Sequence, residues 1–142
     1  YKPIKSTPTI SNAMDVGDPS NFIRILKIFG DDFENLKQTL SGYRFTDNQT
    51  RKALKEIHQI SGYVADPHGA VGYLGLKEYL KDHPGKYGIF LETAHPVKFL
   101  DTVEETLDIK VEIPNRLKET LTKTKDSIEI KNYEGLKSFL LS

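Results

Sequence analysis

Three expected helix starts in this 142-residue chain share one form, a polar side chain followed by proline: Asp18-Pro19, Asp66-Pro67 and His95-Pro96. Proline suits the first helical position because its missing N–H would be unbonded there anyway, and the residue before it can accept from the next free N–H groups. In a parallel α/β sheet, helix starts lie at the carboxyl ends of strands, where ligands collect. Their partial positive charge favours anions, phosphate included. The same pattern also serves capping alone. Thr93 stands just before Ala94-His95-Pro96, and its hydroxyl can donate or accept a hydrogen bond into a crevice above a sheet. His68 falls in the first turn after Asp66-Pro67, and His95 follows the most apolar segment. For both, a capping or supporting role stands beside proton transfer.

Other chemistries find less support. The four histidines, His58, His68, His83 and His95, include no HxxxH or HExxH spacing, so no metal site is expected. His58, mid-helix, and His83, before Pro84, are expected at the surface. Cysteine is absent, which removes thiolate zinc sites, cysteine nucleophiles and disulfide scaffolds, and suits a cytoplasmic protein. There is no GxGxxG, Walker loop or GxSxG, so the chain has no self-contained device for holding a nucleotide or activating a serine. With 20 basic and 20 acidic residues the net charge is zero, which removes the general phosphate attraction that nucleic-acid binders use. No apolar run is long enough to span a bilayer. Neither nucleic acid nor membrane is an expected partner. The opening Tyr1-Lys2-Pro3 is neither a signal peptide nor an initiator methionine, and it implies a chain cut from something longer.

The elements that must position these residues follow from periodicity. Phe22, Ile25, Leu26 and Phe29 predict a helix from Pro19 to about Phe29, capped by Asp18 and ended by Gly30. Asp31 is expected to cap a short helix over 33–40. Thr46 and Gln49 form a capping box for a third helix with Ala53, Leu54, Ile57 and Ile60 inward. Asp66-Pro67 launches a fourth, to about Asp82. It carries Gly69, Gly72 and Gly75, which together cost about 2 kcal/mol relative to alanine. Their spacing makes a smooth lane for the close approach of a neighbouring backbone or a flat ring. The run Tyr87-Gly88-Ile89-Phe90-Leu91 predicts a strand over 86–93 covered on both faces. Shorter strands are expected at 43–45 and 63–65, with an edge strand at 127–130. Helices are expected from His95-Pro96 to about Leu107, near Asn115–Leu121, and from Asn132 to Leu140. The predicted class is therefore α/β with a small parallel sheet in a single unit over 1–142. Such a narrow sheet would want strands from elsewhere.

Read in order, three phrases resemble the markers of threonine synthases. They are Ser11-Asn12-Ala13-Met14-Asp15-Val16-Gly17-Asp18-Pro19-Ser20-Asn21-Phe22, Asp66-Pro67-His68-Gly69-Ala70-Val71 and Thr93-Ala94-His95-Pro96-Val97-Lys98-Phe99. Ile113-Pro114-Asn115-Arg116-Leu117 also resembles the tail of that family, so the likeness spans nearly the whole chain. It implies the helix-rich C-terminal portion of a fold-type II pyridoxal-phosphate enzyme, similar in architecture to the tryptophan synthase β subunit. The family converts O-phosphohomoserine and water to threonine and phosphate. Its cofactor is the electron sink, and the protein orients it.

By this resemblance Thr93 is the hydroxyl that pairs with the ring nitrogen of pyridoxal phosphate. Ser11, Asn12, Asp66, His68 and His95 belong to site-lining segments. The family's Schiff-base lysine and phosphate loop lie earlier in the chain, and Lys98 is not that lysine. No catalytic residue is assigned here. The piece alone is expected to bind no cofactor and to be inactive, with the remainder of its own chain as its partner. Two rivals stand beside this reading. One is a non-enzymatic module that binds partners or small anions through helix N-termini. The other is a piece of another enzyme of the same fold type, such as threonine dehydratase or cysteine synthase.

Overall fold

Thr46 decides where the best-ordered backbone begins. A computed structural model describes residues 2–12, 14 and 16–142, apart from the side chain of Leu121. In it the Thr46 hydroxyl accepts from the Gln49 N–H (3.4 Å), while the Gln49 side chain accepts from the Thr46 N–H (2.9 Å). This reciprocal box starts α3, Asp47–Ser61, the third helix in chain order. Gly62 ends it in the left-handed region at φ 70°, where its N–H bonds the His58 carbonyl. Asp66 and Pro67 then open α4, Pro67–Lys81. A 3₁₀ turn, Pro96–Phe99, leads into α5, Leu100–Leu107.

The core forms where α3 meets α4 and α5. Thr50, Ala53, Leu54 and Ile57 are the buried face of α3. Ala53, Leu54, Ile57, Ala65 and Ala70 make one cluster, with Tyr73, Leu74 and Leu107 packed against it. Fully burying Leu54 contributes about 1.5–3 kcal/mol relative to leaving it in water. Ile60, expected inward, is instead 69% exposed.

Two short helices precede this body: α1, Phe22–Phe29, and α2, Phe33–Thr39. Their starts differ from the sequence expectation. Phe22 N–H donates to the Pro19 carbonyl (3.0 Å) and Arg24 N–H to that of Asn21 (3.0 Å), so a tight turn replaces the first helical turn. The N-cap is then Asn21, without a side-chain bond, and not Asp18. Gly30 does end α1, in the left-handed region. Asp31 follows it at φ 57° and spends its N–H on the Leu26 carbonyl (2.9 Å). Asp32 therefore caps α2, accepting from Glu34 and Asn35.

The chain divides into two compact units, Tyr1–Glu112 and Ile113–Ser142. The second holds α6, Asn115–Leu121, and α7, Tyr133–Leu141, whose start is capped by the Asn132 side chain accepting from the Gly135 N–H (2.8 Å).

The α/β class and its parallel sheet are corrected: the described residues form helices and irregular segments, with no strand. Residues 43–45, 63–65 and 127–130 have no strand structure, and neither does the run over 86–93. The reason is that a strand is a property of a pair. Residues 87–94 have an alternating side-chain pattern, but among the described residues no other backbone runs beside them to complete a ladder. A helix surface takes that place. Positions 88, 90 and 92 face α4: a side chain on Gly88 would strike Leu76, Phe90 lies over Gly72, and Glu92 lies over Gly69. Tyr87, Ile89 and Leu91 point outward, with Ile89 88% and Leu91 74% exposed. The glycine lane works as expected, since Gly72 and Gly75 bring Phe90 and the Tyr43 ring within ordinary contact of the helix.

Candidate functional site at the start of helix α4

The extended segment runs back along α4, meeting Leu76, then Gly72, then Gly69, and so delivers Thr93 to the beginning of that helix. There Asp66 is completely buried. Its Oδ1 accepts from the His68 N–H (2.7 Å) and from the His68 ring at Nδ1 (2.9 Å). The imidazole is thereby fixed in one orientation, and its other face meets Phe99 edge-on at 4.9 Å. Asp66 N–H in turn donates to Glu92 Oε2 (3.4 Å).

Burial drives the Glu92 carboxyl up to about 7, assisted by its hydrogen bond with Asp66 and by that group's charge. Burial pushes Asp66 the same way but is outweighed. Hydrogen bonds from Glu92, the His68 N–H and the His68 ring hold it below the usual carboxylate range. Two adjacent carboxyls driven apart in this manner are an acid beside a carboxylate. Tyr63, nearby, is pushed up first by burial and then by the charges of Glu92 and Asp66.

Ser11 and Asn12 share a groove of about 370 Å³ with His68 and Val71. The loop that carries them is held by its own turn. Asn12 Nδ2 donates to the Thr7 carbonyl (3.1 Å), Thr9 Oγ1 lies 2.9 Å from Ser11 Oγ, and Ile10 N–H reaches Asp47 of α3 (3.3 Å). Ala13 and Asp15 of the same phrase lie outside the described residues. Thr93 is exposed, and among the described residues its hydroxyl makes no hydrogen bond. His95 caps the 3₁₀ turn, with Nδ1 accepting from the Val97 N–H (3.2 Å). It lines a different groove, with Tyr63, Val64 and Lys110.

The structure thus brings Asp66 and His68 into contact, sets Ser11 and Asn12 beside His68, and ties Thr93 to the group through its neighbour Glu92. His95 stands apart from the Ser11 groove. His58 and His83 are half-buried instead of superficial; the His83 ring stacks on Tyr79 at 3.9 Å. Glu92 is the residue that sequence reasoning missed. Its signal was a carboxylate closing an apolar run, 23 positions beyond a glycine whose missing side chain leaves it room. Among the described residues no three His, Asp or Glu side chains are placed to hold a metal, and no helix is long and apolar enough to cross a membrane.

These features define a helical module whose polar groups collect around one helix start, with an exposed hydroxyl at its rim. Residues 69–140 match the family described as threonine synthase, C-terminal, and the chain belongs to that family. It is 40% identical over 142 residues to the threonine synthase of Buchnera aphidicola subsp. Baizongia pistaciae, covering 99% of this chain and 32% of that one. With the threonine synthase of Escherichia coli K12 it shares 38% identity over 120 residues, 84% of this chain and 27% of the relative.

The crystal structure of threonine synthase from Escherichia coli superposes with a TM-score of 0.81 at 33% identity, covering 99% of this chain and 32% of that one. A crystal structure of threonine synthase from Brucella melitensis with bound pyridoxal phosphate gives 0.63 at 25% identity, over 88% and 32%. The chain spans about a third of the length of the relatives it matches.

Proposed function

We propose that this chain is the C-terminal part of a cytoplasmic threonine synthase, which as a complete protein converts O-phosphohomoserine and water to threonine and phosphate with pyridoxal phosphate. The observation that carries the reading is that almost the entire chain aligns with one third of its relatives. The remainder of the same polypeptide is its partner. An outward row of Tyr87, Ile89 and Leu91 supports this, because apolar side chains in series favour cover over water.

The residues present fit one side of the cofactor. Thr93 offers a hydroxyl that is exposed and unengaged, as a contact to the ring nitrogen requires. A hydroxyl adds no Coulomb attraction for a protonated ring, unlike a carboxylate. Pyridoxal phosphate, when bound, supplies the electron sink. The chain's own contribution is to orient: Asp66 fixes the His68 ring, and the groove of Ser11 and Asn12 beside that ring gives polar groups toward a substrate. The covalent lysine and the phosphate cradle belong to the remaining chain. Every lysine here is solvent-exposed, including Lys98 within the 3₁₀ turn. The 142 residues alone are then a wall without catalysis.

Phosphate release from O-phosphohomoserine tests both halves of the proposal. The complete protein should turn over and the isolated chain should not. Turnover by the isolated chain would refute the wall, and an inert complete protein carrying its cofactor would refute the reaction.

A further inference from the structure

Glu92 and Asp66 each keep one buried oxygen without a donor, Oε1 and Oδ2 respectively. Glu92 Oε2 accepts from the Asp66 N–H (3.4 Å), which sets the two carboxyls side by side, and Asp66 is fully enclosed. Two ionised carboxylates so placed would repel in a poorly solvated site, with both oxygens unpaired. The room for this arrangement comes from Gly69: a Cβ on that residue would fall 1.6 Å from Glu92 Oε1. The slot is opened by the Gly69 backbone itself, which has no Cβ to fill it.

We propose that Glu92 and Asp66 share one proton across the Gly69 slot, forming a latch that fixes the segment bearing Thr93 against the start of α4. Glu92 is the protonated member and a positioning residue, acting through Thr93 next to it. Asp66 stays ionised, held by the His68 N–H and ring. The ionisable groups around Glu92 are Asp66, the cap of α4, Tyr63 from the segment before it, and His68, which reaches Glu92 through Asp66. Of these, only His68 can become a cation. The latch stands on Glu92, Asp66 and Gly69, whatever Thr93 touches in a complete enzyme.

The sign follows from which state holds the proton. Unfolded Glu92 loses it near 4.5 and folded Glu92 near 7. The latch therefore contributes fully at the acid end of that window and is lost as pH rises through it. Asp66 acts oppositely, but only around and below its ordinary value near 3.8.

The test is a carboxyl-carbon NMR titration of this chain, with urea unfolding at pH 5 and pH 7.5 for wild type, Glu92→Gln and Gly69→Ala. Glu92 should titrate well above an ordinary glutamate. The wild-type folding constant should fall about tenfold between the two pH values beyond any fall in Glu92→Gln, a figure reduced from the full shift because Glu92 is partly exposed. Glutamine keeps an N–H donor toward Asp66 and should hold the segment in place at both pH values. Gly69→Ala should expel Glu92 and abolish the pH response. An ordinary Glu92 titration in the wild-type spectrum, or equal pH responses in wild type and Glu92→Gln, would overturn the latch without touching the reading of Thr93.

Discussion

Helix α3 and the segment over 87–91 are both rich in apolar side chains, yet they end in opposite situations. Ala53, Leu54 and Ile57 recur at helical spacing and lie in the core, while Tyr87, Ile89 and Leu91 recur at alternate positions and face water. Both stretches have the period that a buried element needs. They differ in their surroundings: α3 has α4 and α5 packed on it, and the extended segment has α4 on one side only. Hydrophobic patterning states which side chains should be covered and says nothing of whether the cover is supplied by the same stretch of chain.

Four substitutions sharpen that contrast. Leu54→Ala removes the largest fully buried side chain and should cost 2–5 kcal/mol, read as a lowered urea midpoint. A loss below 1 kcal/mol would mean that α3 and α4 are not the core. Asp66→Ala deletes the cap of α4 and should cost about 1–2 kcal/mol in the same experiment. Thr46→Ala breaks the capping box of α3, for about 1 kcal/mol. At the other extreme, Leu91→Ser in this chain should change stability by less than about 0.5 kcal/mol, because the side chain is already in water. A cost near that of Leu54→Ala would show that the outward row is covered after all.

Local chemistry was readable in the sequence, and pairing was not. Thr46 with Gln49, Gly62, Asp66 with Pro67, and Asn132 each act within three residues of the helix end they decide, so the ends of α3, α4 and α7 came out close to expectation. Asp18 and Asp31 failed as caps because α1 begins later, at Phe22 after a turn closed on the Pro19 carbonyl, and because Asp32, one residue beyond Asp31, takes the Glu34 and Asn35 N–H groups. The sheet failed for a larger reason: the continuous apolar run over 87–91 describes one strand-like segment, and a ladder needs a second.

The site divides the same way. Asp66 and His68 stand two residues apart, and their contact follows from one helical turn. The bond from Asp66 to Glu92 spans 26 positions, and nothing in either neighbourhood announces it except the glycine between them in space. Thr93 and the Ser11–Asn12 loop were singled out by their resemblance to threonine synthase markers, a signal carried by order along the chain and not by periodicity.

The claim on which the functional reading rests is that the Thr93 hydroxyl touches the cofactor ring. Thr93→Val in the complete protein removes that hydroxyl at nearly constant volume, and the absorbance spectrum of bound pyridoxal phosphate reads the result directly. A shifted spectrum with reduced turnover and an intact fold is the outcome expected; an unchanged spectrum with unchanged turnover would contradict it.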